Sequence, residues 1–265
     1  MTPTATDPVI DRIAHDIVAG APFSAYPPAD GVPRSLAQGY ALQDAVAAAL
    51  QASGARGAVA GYKIAVNSPE LMAHFRIDEP ASGQVFADQT HEGHVRLPAT
   101  GFAEFAYEPE IAAVMGRALP LKDAPFTREA VAAAIARFVP ALELLDTRGA
   151  RTRELHLPDV VAQNISNAGA VLGGPGVAPD ALEPGAIRTV VTLDGAPELD
   201  VTGAAPQNPV DAVCWLANHL AARGRTLEAG DFILCGTHAP LRLLPGPVRI
   251  EVTMSGLGVV GIELS

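Results

Sequence analysis

The sequence predicts an α+β fold, on three observations. The first quarter carries helical periodicity. Almost everything from Gly61 onward reads as short strands with two inserted helices. The chain then closes on a hairpin pattern. Helices first and strands afterwards argue against regular βαβ winding.

The elements follow in order. In "TDPVIDRIAHDIV", Asp7 and Pro8 open a helix with Ile10, Ile13 and Ile17 along one face. "SLAQGYALQDAVAAALQASG" opens on a capping box, Ser35 with Gln38, and stops near Gly54. The Pro-rich "APFSAYPPADGVPR" connects the two. From Gly61, "GYKIAV", "GQVFAD", "FAYEPEIAAVM" and "PALELLD" read as strands, and "TREAVAAAIARF" reads as a helix that stops before Pro140. "IRTVVTL" leads to a turn at Asp194-Gly195. "NPVDAVCWLANHLAARG" is a helix capped by Asn208, with Pro209 first and Gly224 at its end. "GDFILCG" is a strand, and "VRIEVTM" and "VVGIEL" flank "SGLG" as the closing hairpin. A helical region (1–60) and a strand-rich region (61–265) are expected to form one continuous unit.

Composition narrows the function. With 265 residues there is room for a sizeable core, and the net charge of -11 argues against nucleic acid or an anionic membrane as partner. No apolar run approaches a membrane span, and "MTPTATDPVIDRIAHDIV" lacks the pattern of a secretion signal, so a cytoplasmic protein is expected. Cys214 and Cys235 form no metal spacing or disulfide framework and are expected to be buried thiols.

The acids carry the chemistry. Glu108 and Glu110 are two apart in a strand, so they share a face. That face is either a solvated edge, with Tyr107 and Ile111 packing inward, or a buried one that needs a cation or proton between the charges. Glu143 lies in a second apolar strand, and three such carboxylates suit a hard divalent cation. Asp146 falls on the other face and reads as a solvated acid or a partner for Arg148. Lys63 is one of only two lysines. In an apolar strand it either pairs with an acid or steers a carboxylate and stabilises an enolate.

Other patterns carry less. "HEGH" (91–94) is one residue short of the zinc helix, and "GGPG" (173–176) lacks dinucleotide-loop spacing. His74 and His238 are isolated. Arg148, Arg151 and Arg153 form either a solvated basic loop or a reader of a distal carboxylate.

Taken together, "GYKIAV", "IDEPASGQVFAD", "YEPEIAAVM", "PALELLDTR", "VVAQNISNAGAVLGG" and "NPVDAVCWLANHLAARGRTLEAGDFILCG" resemble the 2-oxopent-4-enoate hydratase and 4-oxalocrotonate decarboxylase group of the fumarylacetoacetate hydrolase superfamily. The resemblance implies a mixed β-roll core with flanking helices. It implies an Mg²⁺ or Mn²⁺ site on Glu108, Glu110 and Glu143, an active-site Lys63, and Ser166 near the substrate. The implied activity is hydration of a small 2-hydroxy-dienoic or 2-oxo-alkenoic acid in aromatic catabolism, with a homo-oligomer as the family habit. Decarboxylation is second, C–C bond hydrolysis third, and a catalytically idle paralogue is the alternative outside enzymology.

The chain departs from the pattern after "IDEP". Ala81 and Ser82 stand where hydratases carry an acid and an aromatic residue. In "LCGTHAP", His238 enters a family substrate loop, where its ordinary pKa would suit the missing proton transfer.

Overall fold

The computed structural model describes residues 7–24 and 33–265. The interior of the Pro-rich connector, residues 25–32, lies outside them. Helix α1 (Pro8–Ala19) is capped by Asp7, whose carboxylate accepts from the Val9 N–H at 2.9 Å. Helix α2 (Leu36–Ala52) starts at Ser35, whose hydroxyl accepts from the Gln38 N–H. The Gln38 side chain accepts in turn from the Arg34 N–H at 2.8 Å, a capping box displaced by one residue. Ile13, Val46 and Leu50 bury the apolar stripes of these helices against Phe86.

The rest alternates strands with short helices: β1 (Val59–Ala65), α3 (Pro69–Phe75), β2 (Ala81–Phe86), β3 (Thr90–Glu92), β4 (His94–Leu97), β5 (Phe105–Met115), α4 (Arg128–Ala132), β6 (Ile135–Asp146), α5 (Leu157–Ala162), β7 (Asn167–Leu172) and β8 (Gly174–Pro175). Then come β9 (Arg188–Leu193), β10 (Ala196–Thr202), α6 (Pro209–Ala222), β11 (Phe232–Thr237), β12 (Arg242–Leu243), β13 (Val248–Met254) and β14 (Gly258–Leu264). One sheet runs β2-β1-β11-β5-β6-β7-β3 with β12 on β5, and the second runs β10-β9-β13-β14-β4 with β8 on β14. β1–β11, β3–β7 and β4–β14 are parallel, and the other pairs are antiparallel. The α+β expectation holds. The turn at Asp194-Gly195 has both residues at positive φ (50° and 82°), as a two-residue hairpin joining β9 to β10 requires.

One element differs from expectation. The helix expected over "TREAVAAAIARF" ends at Ala132, and its second half opens β6. Tertiary packing overrides the helical pattern here. Ile135 and Phe138 bury themselves in the main core, and Phe138 exchanges backbone hydrogen bonds with Val177 at 2.8 and 2.9 Å. Pro140 therefore sits inside a strand. Its carbonyl accepts from the Gly173 N–H just beyond the end of β7, so its missing N–H faces the point where that ladder stops.

The core sets up the site. Tyr107, Ile111, Leu142 and Leu144 face the second sheet and pack with Ile250, Val252, Val260 and Ile262. The opposite face of the same two central strands carries Ala112, Val139 and Ala141 in a separate apolar cluster. Glu108, Glu110 and Glu143 share that second face.

Candidate active site

The two-residue period of β5 places Glu108 and Glu110 together, and the β5–β6 register sets Glu143 directly opposite Glu108. One carboxylate oxygen from each lies within 4.8 Å of the others. Glu110 and Glu143 are each 1% exposed, so the solvated-edge alternative does not hold for them. Both faces of β5 are covered: Tyr107 and Ile111 by the second sheet, the glutamates by the structure around the cavity described below.

Lys63 reaches this cluster from β1. Its Nζ lies 2.9 Å from Glu143 Oε1, and its side chain is 2% exposed. Asn167 Nδ2 donates to the same carboxylate oxygen at 3.0 Å. Asn167 directly follows Ser166 within "VVAQNISNAGAVLGG", and no local pattern marks it as a site residue. Burial drives the electrostatics. It pushes the Glu108 carboxyl up to about 8, with Glu143 adding to the shift and Lys63 opposing it. Burial and the two neighbouring carboxylates likewise raise Glu110 well above the usual range. Burial pulls Lys63 down, but the fields of Glu143 and Glu108, the hydrogen bond to Glu143 and the field of Glu110 together outweigh it and leave its pKa raised.

A bulge completes the cage and decides the fate of His238. In β11, Leu234 pairs with Ala112 but Thr237 pairs with Glu110, so the register slips at Cys235–Gly236. Gly236 has φ 121°, and an added Cβ would meet Asn67 Nδ2 at 2.4 Å, so the position needs glycine. Freed from the ladder, the Gly236 N–H donates to Glu110 Oε2 at 2.6 Å. The slip also reverses which side chains face the site. Thr237 lines the cavity, whereas His238 turns to the opposite face. Its Nδ1 meets the Thr189 hydroxyl at 2.7 Å, its Nε2 is buried without a partner, and burial pulls its pKa down to about 4. The expectation that His238 supplies proton transfer at the site is therefore corrected: it is a core residue.

Ser166 does line the cavity. It ends a turn in which Asn164, Ile165 and Ser166 all have positive φ (58°, 50° and 58°). For a β-branched residue this backbone is costly, and such strain persists only where the surroundings impose it. The Asn164 side chain imposes it. Its Oδ1 accepts from the Gln84 N–H at 2.7 Å and its Nδ2 donates to the Gln84 carbonyl at 2.8 Å, pairing with β2 as a strand backbone would.

The cavity holds about 490 Å³, and its lining includes Lys63, Glu108, Glu110, Thr147, Ser166 and Thr237 together with a set of apolar side chains. Arg151 and Arg153 also line it, each already in an ion pair. Ala81 and Ser82 are buried in β2 and lie outside that lining. Asp146 accepts from the backbone N–H groups of Ala103 and Glu104 at 3.0 and 2.8 Å, and Arg148 donates to Gln163 and to the Ala21 carbonyl. Once ionised, three carboxylates against one lysine leave an excess of negative charge in a mostly buried site, and the donor set is all oxygen. Both features fit a hard divalent cation.

The comparisons bear on the family and the fold. The profile of the fumarylacetoacetate (FAA) hydrolase C-terminal family matches residues 64–264. The 2-keto-4-pentenoate hydratase of Paraburkholderia xenovorans is 32% identical over 207 residues, 77% of this chain and 76% of that protein. The 2-hydroxyhexa-2,4-dienoate hydratase of Comamonas testosteroni is 32% identical over 218 residues, 81% of each. In fold, the chain resembles the 4-oxalocrotonate decarboxylase of Pseudomonas putida G7, solved with magnesium and adipate, with a TM-score of 0.86 over 99% of both chains at 22% identity. The match spans β5 and β6 with the whole carboxylate cluster, and on that footing the chain belongs to the fumarylacetoacetate hydrolase family.

Proposed function

We propose that this chain is a divalent-metal-dependent hydratase of a 2-hydroxy-2,4-dienoate or 2-oxo-alkenoate, acting in the breakdown of aromatic compounds. One observation carries the reading: a cage of buried Glu110 and Glu143 with half-buried Glu108, paired to Lys63, opens into a cavity sized for a small organic acid. The hydratases at 32% identity support it.

In this reading Glu108, Glu110 and Glu143 hold the ion. Bound there, a divalent ion supplies Lewis-acid polarisation of the substrate's 2-oxo oxygen. Asn167 and Gly236 hold two of the carboxylates in place by hydrogen bonds. Lys63 places a fixed positive charge beside the oxygen where enolate charge develops, in a site where that field is poorly screened. Loss of the 2-hydroxyl proton and delivery of a proton to C5 convert the dienol to the conjugated 2-oxo-3-enoate. Water then adds to C4 and a proton to C3, giving the 4-hydroxy-2-oxo acid. Ser166 lines the cavity and orients substrate or water, whereas the Thr237 hydroxyl is held by the Ala239 backbone, donating to its carbonyl at 2.6 Å.

Decarboxylation of a 2-oxo-3-enedioate is the second reading, supported by the fold neighbour 4-oxalocrotonate decarboxylase. Both reactions need the same enolate stabilisation. Assay of 2-hydroxypenta-2,4-dienoate and 2-oxohex-3-enedioate with Mg²⁺ or Mn²⁺, with products identified, separates them. Metal-dependent formation of 4-hydroxy-2-oxopentanoate is expected. Release of CO₂ from the diacid as the main reaction selects decarboxylation. Failure to bind metal, or to bind oxalate in its presence, sinks both.

A further inference from the structure

The substrate's far end is written in the cavity wall. Glu143 and Leu145 of β6 and Thr147 just beyond its end follow at two-residue intervals, and Leu145 and Thr147 line the cavity. Leu145 pairs with Ala106, which also pairs with Leu243 of β12. One two-residue step along a strand covers about 7 Å. An acid held at the cage by its first two carbons therefore brings its later carbons over Leu145 and Leu243. Leu71 and Phe75, one helical turn apart on α3, line the same cavity, as do Ile165 and Leu241. Leu241 and Leu243 are 38% and 37% exposed and rank among the few exposed large apolar side chains of the described residues. Exposed leucines lining a cavity are surface that an apolar ligand would cover.

The charges nearby do not offer a second carboxylate a home. Arg151 places both terminal nitrogens on Glu104 at 2.9 Å, and Arg153 lies 3.0 Å from Glu70. Glu154, which does line the cavity, adds a third acid to these two partners, which lie outside the lining. Two guanidinium groups are matched by three carboxylates, so the surroundings are not positive.

Resting on the metal-site reading above, we propose that this cavity selects a 2-hydroxy-dienoate with an apolar tail and disfavours one ending in a second carboxylate. The test is calorimetric binding of unreactive 2-oxo acids to the full chain with Mn²⁺, comparing pyruvate, 2-oxohexanoate and 2-oxoadipate. The last two share a six-carbon chain and differ at the far end. 2-Oxohexanoate is expected to bind at least about tenfold tighter than either of the others, since burying methylenes in an apolar pocket is worth that much. Leu241→Lys should reverse the preference between the two six-carbon acids. Arg153→Ala should leave the wild-type order intact. Tighter binding of 2-oxoadipate, weakened by Arg153→Ala, overturns the proposal while leaving the metal reading standing. Equal binding of all three also overturns it. Absence of metal-dependent binding by any of them removes the metal reading and this inference together.

Discussion

Glu108 and Glu143 stand directly opposite each other across the β5–β6 ladder. Like charges so placed repel, and burial raises the cost. The metal-free chain answers by keeping protons: Glu108, pushed up chiefly by burial and then by Glu143, holds its proton to about pH 8 against an ordinary value of 4.5. A carboxyl whose folded pKa is raised costs stability as pH climbs from the unfolded to the folded value. Thermal unfolding of the metal-free protein should therefore show stability falling between about pH 4.5 and 8. Mg²⁺ binding near pH 7 should release at least about one proton, because Glu110 is raised as well as Glu108, read as a buffer-dependent calorimetric enthalpy. A flat stability profile with no proton release contradicts this account.

Lys63 is the only cation inside the carboxylate cage among the described residues, and its Nζ sits 2.9 Å from Glu143. Removing one partner of a buried pair is costly because the other charge stays behind. Lys63→Met should lower the stability of the metal-free protein by about 3–5 kcal/mol. With saturating metal it should retain metal binding but lose at least about a hundredfold in kcat, the scale of losing one preorganised stabilising group. Unchanged kcat assigns Lys63 to structure alone.

Glu104 offers a pH test away from the cage. Its carboxylate accepts from both terminal nitrogens of Arg151, from the Thr147 hydroxyl and from the Gly149 N–H. The Arg151 hydrogen bonds, then that from Thr147, pull its pKa down to about 2 from 4.5. A depressed carboxyl stabilises the fold above its unfolded pKa and loses that contribution as pH falls through the folded one. Glu104→Gln should cost about 1 kcal/mol at pH 7, discounted because the pair is partly solvated. The difference from wild type should vanish as pH falls from about 4.5 to 2. A difference that persists at pH 2 means that something other than this charge was lost.

Much of the site was legible because it follows strand parity. Glu108, Glu110 and Glu143 could be found from a period of two and from their apolar neighbours, and Lys63 from its rarity. Caps at Asp7, Ser35 and Asn208 were legible because capping is local chemistry. What escaped depends on contacts between distant segments. The start of β6 reads as helix until Val177 and the second sheet claim it. His238 is expected at the site from its place in a loop that resembles a family substrate loop, and strand parity does not correct that expectation. It is four residues beyond Leu234, so unbroken parity puts the two on one face. The Cys235–Gly236 bulge inserts a residue and turns His238 into the core. Gly236 was the available signal, but only the approach of Asn67 gives it meaning.

That reversal makes His238 a control. His238→Gln should leave the pH profile of turnover unchanged, because the side chain does not line the cavity. It should cost about 1–3 kcal/mol of stability if the amide cannot replace the bond to the buried Thr189 hydroxyl. A lost limb in the pH profile would return His238 to the chemistry.

Asn164 is the residue on which the serine's position depends. Its amide makes both hydrogen bonds to the Gln84 backbone, and the left-handed turn through Ile165 ends on Ser166. Asparagine tolerates that backbone better than most residues, so Asn164→Ala loses two hydrogen bonds and a conformational preference together, about 2 kcal/mol. If the turn only stabilises the fold, activity per folded molecule stays constant. If it positions Ser166, kcat for the dienoate falls about tenfold or more, the cost of a small misplacement near reacting atoms. Metal affinity should not change, since Asn164 touches none of the three carboxylates. Asn164→Asp sharpens the comparison. It keeps the acceptor for the Gln84 N–H but turns a carboxylate oxygen toward the Gln84 carbonyl, so it should be worse than alanine for stability. Equal kcat in wild type and both variants removes the positioning role.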